Sequence, residues 1–298
     1  MLGSNIAYEL RKKYEISGVD LIKVHMPEVE SFCLDLLNFQ QLLNCVKSIQ
    51  PDVIVHTAAA VNVDKCEMEP EYAQKLNIKT TENIYRIAEH VNAKLIYIST
   101  DAVFDGKSIE LYKEIDEPNP VNIYGTTKLQ GEEIVRKNKK NIIFRTNIYG
   151  FNIQKKDSFG EWIYNSLMKN QELDMFEDID FSPILVNDLA KIIDLAIQKG
   201  ISGLYHVCGT GCITKFEFGY ELQNIFQIST GRINKSQSYK YNFKAIRAKH
   251  MGMSNRKICE TLNLPIRTPT ESIEEFFRLY NEGFKKELIR FGGIVYAD

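Results

Sequence analysis

The sequence predicts an α/β protein with a doubly wound parallel sheet, followed by a smaller C-terminal unit. In the first half of the chain, short apolar segments alternate with helical segments, which is typical of parallel strands joined by crossover helices. After Gly150 the alternation loosens into several helices with less regular strands between them. Right-handed crossovers would place the helices on both faces of the sheet.

The elements follow from the apolar periodicity. Ile6, Leu10 and Tyr14 share one helical face, so the chain is predicted to open with an amphipathic helix. In the first half, strands are predicted at 14–20, 53–56, 94–99 and 141–145, and helices at about 70–90 and 122–138. Beyond residue 150, helices are predicted near 159–169, 188–199, 215–226 and 270–282, with one more sheet strand at 203–207.

Composition excludes several classes of protein. The 298 residues carry a net charge of -2, which argues against a nucleic-acid-binding protein. No apolar run approaches the ~18 residues that cross a bilayer, and no signal peptide is visible. The six cysteines lack a zinc-site spacing. We therefore predict a cytoplasmic protein with reduced thiols, no metal site, and neither nucleic acid nor membrane as a partner.

The first residues raise a question about the cofactor site. A doubly wound sheet begins with a strand and a glycine-rich turn before its first helix. Gly3 stands where the last glycine of a G-x-x-G-x-x-G turn would be, and Asp20 follows at the spacing of a ribose-binding acid. Alternatively, Gly3 is only a flexible end residue and Asp20 only caps a loop. We expect that Met1 falls inside the turn through a late start codon, and that adding a strand and G-x-x-G turn would improve stability.

Tyr124 and Lys128 carry the sharpest chemical signal. Residues at i and i+4 share one helix face, and a free tyrosine has a pKa of about 10. We expect the Lys128 ammonium to lower the pKa of Tyr124, so that the phenol gives a proton to an alkoxide formed by hydride transfer. The alternative is an exposed tyrosine beside a solvated lysine.

Two further segments end predicted strands, where α/β sheets bind ligands. Ser99, Thr100 and Asp101 follow one strand, and Thr100 could donate a hydrogen bond to a reacting oxygen. The alternative is a helix cap or a turn. Ala58, Ala59 and Ala60 follow the preceding strand, and their small side chains would let a cofactor approach the backbone. Tight helix packing explains these alanines equally well.

Together these residues resemble the extended short-chain dehydrogenase/reductase superfamily, and within it the dTDP-4-dehydrorhamnose reductase family. The resemblance rests on H-T-A-A-A-V-N-V-D-K-C-E at 56–67, S-T-D-A-V-F-D-G at 99–106, Y-K-E at 112–114, P-N-P-V-N-I-Y-G at 118–125 and K-L-Q-G-E at 128–132. It extends more loosely through 181–190. It implies a Rossmann-like NAD(P)-binding domain, residues 1–150 plus about 185–208 with its first strand missing. A substrate-binding domain would comprise about 151–184 and 209–298.

The resemblance implies NAD(P)H-dependent reduction of a keto group on a nucleotide-linked deoxysugar, by a monomer or homodimer. It makes Thr100, Tyr124 and Lys128 the catalytic set. The cofactor would be bound by Gly3, Asp20, Asp35, Leu36, Ala58, Ala59, Ala60, Asn77, Ser99, Tyr124 and Lys128, with Asp35 near the adenine and Asn77 supporting the active-site helix. The sugar would be bordered by Val61, Asp64, Glu67, Asp101 and Phe104.

The sequence departs from the family in places. Ala102 stands where related dehydratases carry a catalytic Glu, which argues against dehydration. Residues 145–150 lack the Trp of many rhamnose-forming reductases, and Trp162 is predicted to be a helix core residue. Asp20 favours NADH because it would repel a 2′-phosphate, although Lys23 could reverse that preference.

Two alternatives remain open at this point. A nucleotide-sugar 4-epimerase with retained NAD would use the same residues. A non-catalytic nucleotide-sugar-binding or regulatory relative would explain the absent glycines.

Overall fold

The computed structural model describes residues 1–153 and 156–294 of the chain. Its helices are α1 (Leu2–Leu10), α2 (Phe39–Ile49), α3 (Val63–Met68), α4 (Pro70–Gln74), α5 (Thr80–Val91), α6 (Ile123–Val135), α7 (Phe159–Met168), α8 (Val186–Gln198), α9 (Lys215–Ile225), α10 (Arg256–Leu262), α11 (Pro269–Asn281) and α12 (Phe284–Phe291). A π-helical turn, Lys75–Lys79, joins α4 to α5, and single 3₁₀ turns lie at Asp101–Val103 and Ser238–Lys240.

The strands are mostly short. They are β1 (Ile16–Asp20), β2 (Val24–His25), β3 (Val29–Cys33), β4 (Val53–His56), β5 (Lys94–Thr100), β6 (Ile142–Thr146), β7 (Ile148–Tyr149), β8 (Glu172–Phe176), β9 (Asp180–Phe181), β10 (Ile184–Leu185), β11 (Gly203–His206), β12 (Ile213–Thr214), β13 (Arg232–Ser236), β14 (His250–Met251) and β15 (Gly293–Ile294). Each strand and helix predicted from the sequence is present within a few residues, and the predicted helix at 70–90 is α4, the π turn and α5.

The main sheet is parallel, in the order β11-β6-β5-β4. Its side chains alternate between the two faces, as strand geometry requires. Ile96, Ile98 and Phe144 pack with α1 and α8 on one face. Leu95 and Tyr97 pack with α2, α5 and α6 on the other. The predicted doubly wound α/β arrangement is confirmed, and each fully buried aliphatic side chain contributes about 1.5–3 kcal/mol to it.

A second parallel pair, β1 with β3, flanks the main sheet. Among the described residues, β1 pairs only with β3 and β4 pairs only with β5. Ile16 of β1 nevertheless shares one apolar cluster with Val53 and Val55 of β4, and Val19 shares the other cluster with Ile54. The parallel strands are therefore divided between two sheets that share the same two cores.

The C-terminal half builds its own apolar cluster from α7, α9, α11 and α12. Its largest fully buried side chains are aromatic: Tyr149, Phe151, Phe181, Phe218 and Phe276. Around this cluster lie the parallel pair β8–β13 and the three-stranded sheet β12-β9-β14. The division into two domains at the residues given above stays a prediction.

None of the helices in the described residues combines the length and the apolar character needed to cross a bilayer.

Two buried histidines at strand ends predict a pH dependence of stability. His56 ends β4 and lies 3.1 Å, Nε2 to Oγ1, from Thr81. His206 ends β11, with Nδ1 3.1 Å from the Tyr112 carbonyl oxygen. Burial is the main cause that lowers the pKa of each histidine to about 3. Because an unfolded histidine has a pKa of about 6.5, the unfolded chain binds more protons than the folded chain between these values.

We therefore expect the free energy of unfolding to fall as the pH drops below about 6.5, by up to about 1.4 kcal/mol per pH unit for each histidine. Urea unfolding at several pH values measures this slope. His56→Gln should reduce the slope, whereas His90→Gln, at an exposed position, should leave it unchanged. Equal slopes in all three proteins would contradict the prediction.

Candidate active site

Helix α6 lies close against strand β5 because of two glycines. A Cβ on Gly125 would lie 2.1 Å from the Ala102 carbonyl oxygen, and one on Gly131 would lie 2.1 Å from the Tyr97 hydroxyl oxygen. A larger residue at either position would push the helix off the strand. This close approach brings Tyr124, in the first turn of α6, to the carboxyl end of β5.

Thr100 and Asp101 occupy that end of β5, and both are buried. The Thr100 hydroxyl donates to Asp101 Oδ1 at 2.9 Å and accepts from the Ala102 amide at 3.1 Å. Asn147, which follows β6, donates to Asp101 Oδ2. Burial raises the pKa of Asp101, while Asn147, Lys215 and Thr100 act in the opposite direction. Thr100 also caps the 3₁₀ turn. It therefore has the capping role that the sequence offered as an alternative, as well as its position at the end of β5.

The structure corrects the expected effect of Lys128 on Tyr124. Lys128 is buried, and its Nζ donates to the Ile98 carbonyl oxygen at 2.6 Å and lies 4.1 Å from the centre of the Tyr97 ring. Burial lowers the pKa of Lys128 to about 7. Burial also raises the pKa of Tyr124, with Thr100 opposing. The prediction of a lowered Tyr124 pKa was wrong, because both groups are desolvated and the ammonium faces a backbone carbonyl.

Asn77 joins the loop after β4 to helix α6. Its Oδ1 accepts from the Ala60 amide at 2.8 Å, and its Nδ2 donates to the Ala60 carbonyl at 3.2 Å and to Thr127 Oγ1 at 3.0 Å. Asn77 is itself buried. Ala58 is exposed and Ala59 is half-buried, so this loop offers small side chains beside the active-site helix. The predicted supporting position of Asn77 agrees with these contacts.

The start of α1 lies beside the same loop. A Cβ on Gly3 would lie 3.2 Å from Thr57 Oγ1, and no side chain of the described residues caps α1 at Met1. Asp20 ends β1, and its carboxylate accepts a hydrogen bond from the Ile22 amide at 3.2 Å. Burial lowers the pKa of the Met1 amino group, and the charge of Asp20 acts in the opposite direction. Free amides at a helix start suit a phosphate, and an exposed acid suits ribose hydroxyls. These residues fit a dinucleotide, although Asp20 also caps a loop, as the alternative held.

Asp35 and Leu36 lie in the loop between β3 and α2. The Leu34 amide donates to the Asp20 carbonyl at 2.9 Å, which places this loop at the same sheet edge as Asp20. Asp35 Oδ1 accepts from the Leu37 amide at 2.9 Å, and the Leu36 carbonyl accepts from an α5 side chain. Their contact with an adenine stays a prediction.

Three of the residues predicted to border the sugar lie around α3. Val61 is 57% exposed. Asp64 accepts from two loop amides, at Lys244 and Ala245, and pairs with Arg247 at 2.8 Å. Glu67 Oε2 accepts from the Ile123 amide at 3.0 Å. These contacts connect α3 to the 244–247 loop and to the start of α6, so both acids have partners within the chain.

Phe104 lies in the core. It is completely buried, stacks on Tyr112 with ring centres 4.1 Å apart, and meets the edge of His206. The turn after β5 directs this ring into the core, and its contact with the sugar stays a prediction. Trp162 was predicted to be a core residue, and this prediction was wrong. Its side chain is 41% exposed and stacks on Phe159.

A buried ion pair beneath the site was missed. Glu132 on α6 and Arg145 on β6 are fully buried and form two hydrogen bonds of 2.8 Å. Ser99 Oγ also donates to Glu132 at 2.6 Å. Ser99 is thereby held in this network, and its predicted contact with the cofactor stays a prediction. The one indication of this pair in the sequence is an arginine, Arg145, inside an otherwise apolar strand.

Comparison with known proteins gives a consistent picture. The family described as RmlD substrate binding domain matches residues 2–281. The chain is 35% identical over 194 residues to the dTDP-4-dehydrorhamnose reductase of Escherichia coli (strain K12), covering 63% of this chain. That match spans 64% of the relative's length, just under two thirds.

Solved structures are similar over nearly the whole chain. A dTDP-4-dehydrorhamnose reductase from Clostridium acetobutylicum ATCC 824 superposes with a TM-score of 0.82 at 28% identity, covering 94% of this chain and 96% of that one. The dTDP-4-dehydrorhamnose reductase from Bacillus anthracis str. Ames, in complex with NADP, gives a TM-score of 0.81 at 29% identity, covering 93% and 96%.

Proposed function

Because the chain belongs to the RmlD substrate binding domain family, we propose that it catalyses the NAD(P)H-dependent reduction of a keto group on a nucleotide-linked deoxysugar, as a dTDP-4-dehydrorhamnose reductase. The observation that carries this proposal is the meeting of Thr100, Tyr124 and Lys128 at the carboxyl end of β5. The epimerase alternative is not favoured, since the solved epimerases are only 16–21% identical to this chain, against 28% and 29% for the two reductases. The non-catalytic alternative is not favoured, since Thr100, Tyr124 and Lys128 are all present.

The cofactor would be held by the start of α1 near Gly3, by the Ala58–Ala60 loop and by Asp20. When bound, a dihydronicotinamide supplies the hydride that reduces the ketone. Uncapped amides at the start of α1 would bind the diphosphate, and the small alanines would leave the backbone accessible. Lys128 would hold the ribose next to the reacting ring.

Residues of the chain supply the proton that the substrate oxygen takes up. Since burial raises the pKa of Tyr124, its phenol is protonated at neutral pH and can donate to the oxygen that becomes a hydroxyl. Lys128 shares the same helix face, but its Nζ donates to the Ile98 carbonyl oxygen, so we assign it to the ribose and not to the phenolate. The Thr100 hydroxyl donates to Asp101. The Thr100 hydroxyl must therefore rotate to donate to the substrate oxygen.

The direct test is an assay of the purified chain with dTDP-4-dehydrorhamnose and each cofactor, followed through the loss of NAD(P)H absorbance. Steady consumption of cofactor with formation of dTDP-rhamnose is the expected result. A chain that binds the cofactor and the sugar nucleotide but consumes neither would refute the proposal.

Cofactor preference depends on Asp20, and we propose NADH as the better cofactor. An exposed carboxylate at this position repels a 2′-phosphate. We expect Asp20→Ser to raise kcat/KM for NADPH relative to NADH by about tenfold, the effect of about 1.4 kcal/mol. Asp52→Ser is the matched control, because Asp52 is exposed just before β4, at its opposite end.

An unchanged ratio in Asp20→Ser would show that Asp20 only caps its loop. The cytoplasmic location and the monomer or homodimer stay predictions.

A further inference from the structure

Lys215 brings a positive charge to the apolar cluster in which Phe159 and Phe181 pack with Ala102, the residue after Asp101. It is the first residue of α9, where Thr214 and Glu217 form a capping box, and its amide donates to the Ile179 carbonyl at 2.9 Å. The helix start and this backbone bond fix where the side chain leaves the chain. Its Nζ lies 3.1 Å from the centre of the Phe181 ring and 4.5 Å from that of Phe159.

The ammonium of Lys215 makes neither a hydrogen bond nor an ion pair with any residue in 1–153 or 156–294. The two aromatic faces stabilise the cation but accept none of its three N–H groups in the ordinary way. Burial lowers the pKa of Lys215 to about 7, and Asp101 opposes that lowering. A half-buried ammonium whose N–H groups have no acceptor costs free energy, unless an oxygen of a ligand accepts from them.

Other charged groups near Lys215 are already engaged. Asp101 is held by Thr100 and Asn147. On β9, next to Phe181, Asp180 pairs with His250 at 2.7 Å. Glu217, on the same helix, accepts from Thr214. Of these acids, Asp101 is the one whose charge acts on Lys215, and it is adjacent to Thr100.

We propose, on the basis of the proposed function, that Lys215 binds the sugar ring of the substrate by donating hydrogen bonds to a ring hydroxyl near the reacting carbon. A hydroxyl accepts from an ammonium and donates to a carboxylate, so Lys215 and Asp101 together match a hydroxylated ring. A diphosphate matches them less well, because the charge of Asp101 would repel it.

The test compares Lys215→Met with wild type in two binding measurements by calorimetry, one with dTDP-rhamnose and one with dTDP. We expect the Kd for dTDP-rhamnose to rise by about tenfold or more, as for loss of a hydrogen bond to a charged donor. The Kd for dTDP and for NAD(P)H should not change. Lys235→Met is the matched control, since Lys235 is an exposed lysine 4.9 Å from the Phe216 ring.

A second variant keeps the test independent of folding and of activity. Arginine stays protonated where lysine does not. We expect wild-type affinity for dTDP-rhamnose to weaken as the pH rises through about 7, and Lys215→Arg to retain affinity over that range. Unchanged binding of dTDP-rhamnose by Lys215→Met, or an equal loss for dTDP, would overturn the inference. Absence of turnover with intact binding would instead count against the proposed function alone.

Discussion

Replacement of Tyr124 by phenylalanine should lower kcat by about 10³-fold, within the 10²–10⁴ range of general acid catalysis. The hydroxyl is the proton donor of the proposed reaction, whereas the ring would still pack against Ala60, Cys66 and Ala73. We expect KM for the sugar and Kd for NAD(P)H to stay within about threefold of wild type, because the phenol acts mainly in the transition state. Steady-state assays and cofactor titration measure both.

Tyr85→Phe is the matched control for this variant. Tyr85 lies on α5, packs against the α2 side of the sheet, and is half-buried. Its loss of a hydroxyl should leave kcat unchanged. If Tyr124→Phe retained more than about a tenth of wild-type kcat, Tyr124 would not be the general acid.

Replacement of Arg145 by methionine should lower the free energy of unfolding by about 3–5 kcal/mol. Arg145 and Glu132 are both completely buried, so the change leaves a buried carboxylate that keeps Ser99 and the half-exposed Arg136 as partners but has lost its buried counter-ion. The same network lies directly under Thr100, because Ser99 precedes it. Urea unfolding with a two-state fit measures the loss.

A surface pair supplies the comparison. Arg256 and Glu260 form an ion pair with side chains 84% and 64% exposed, so Arg256→Met should cost at most about 1 kcal/mol. The double variant Glu132→Leu with Arg145→Met should be more stable than Arg145→Met alone, because it removes the buried carboxylate that has lost its buried partner. Similar losses for Arg145→Met and Arg256→Met would contradict the role assigned to the buried pair.

Much of the fold could be read from local patterns. The apolar run at 53–56 coincides with β4, and the i, i+4 spacing of Tyr124 and Lys128 falls on α6. Helix α2 was also accessible, since Asn38 caps it and Leu42 and Val46 repeat at helical spacing, but it was not predicted. Strand β3 was not predicted either, and its residues are mostly exposed.

Contacts between distant elements were out of reach. Glu132 and Arg145 lie on different elements, and the sequence around each residue does not indicate that it is buried. Phe104 has the same neighbours in sequence whether it is exposed or buried, and its burial against Tyr112 appears only in the structure. In the sequence, Lys215 is an ordinary lysine at the start of a helix. Only the structure shows that Phe159 of α7 and Phe181 of β9 lie against its ammonium. The pKa of Tyr124 likewise depends on burial that spacing does not reveal.

The central claim is a net hydride transfer to a sugar ketone, and isotope transfer tests it most directly. NADH or NADPH carrying deuterium at the transferable position would be incubated with dTDP-4-dehydrorhamnose and the purified chain, and the product examined by mass spectrometry and NMR. The account predicts dTDP-rhamnose with one deuterium on the former keto carbon and an equal amount of oxidised cofactor. Unlabelled product, or recovery of both reactants unchanged by a protein that binds them, would contradict it.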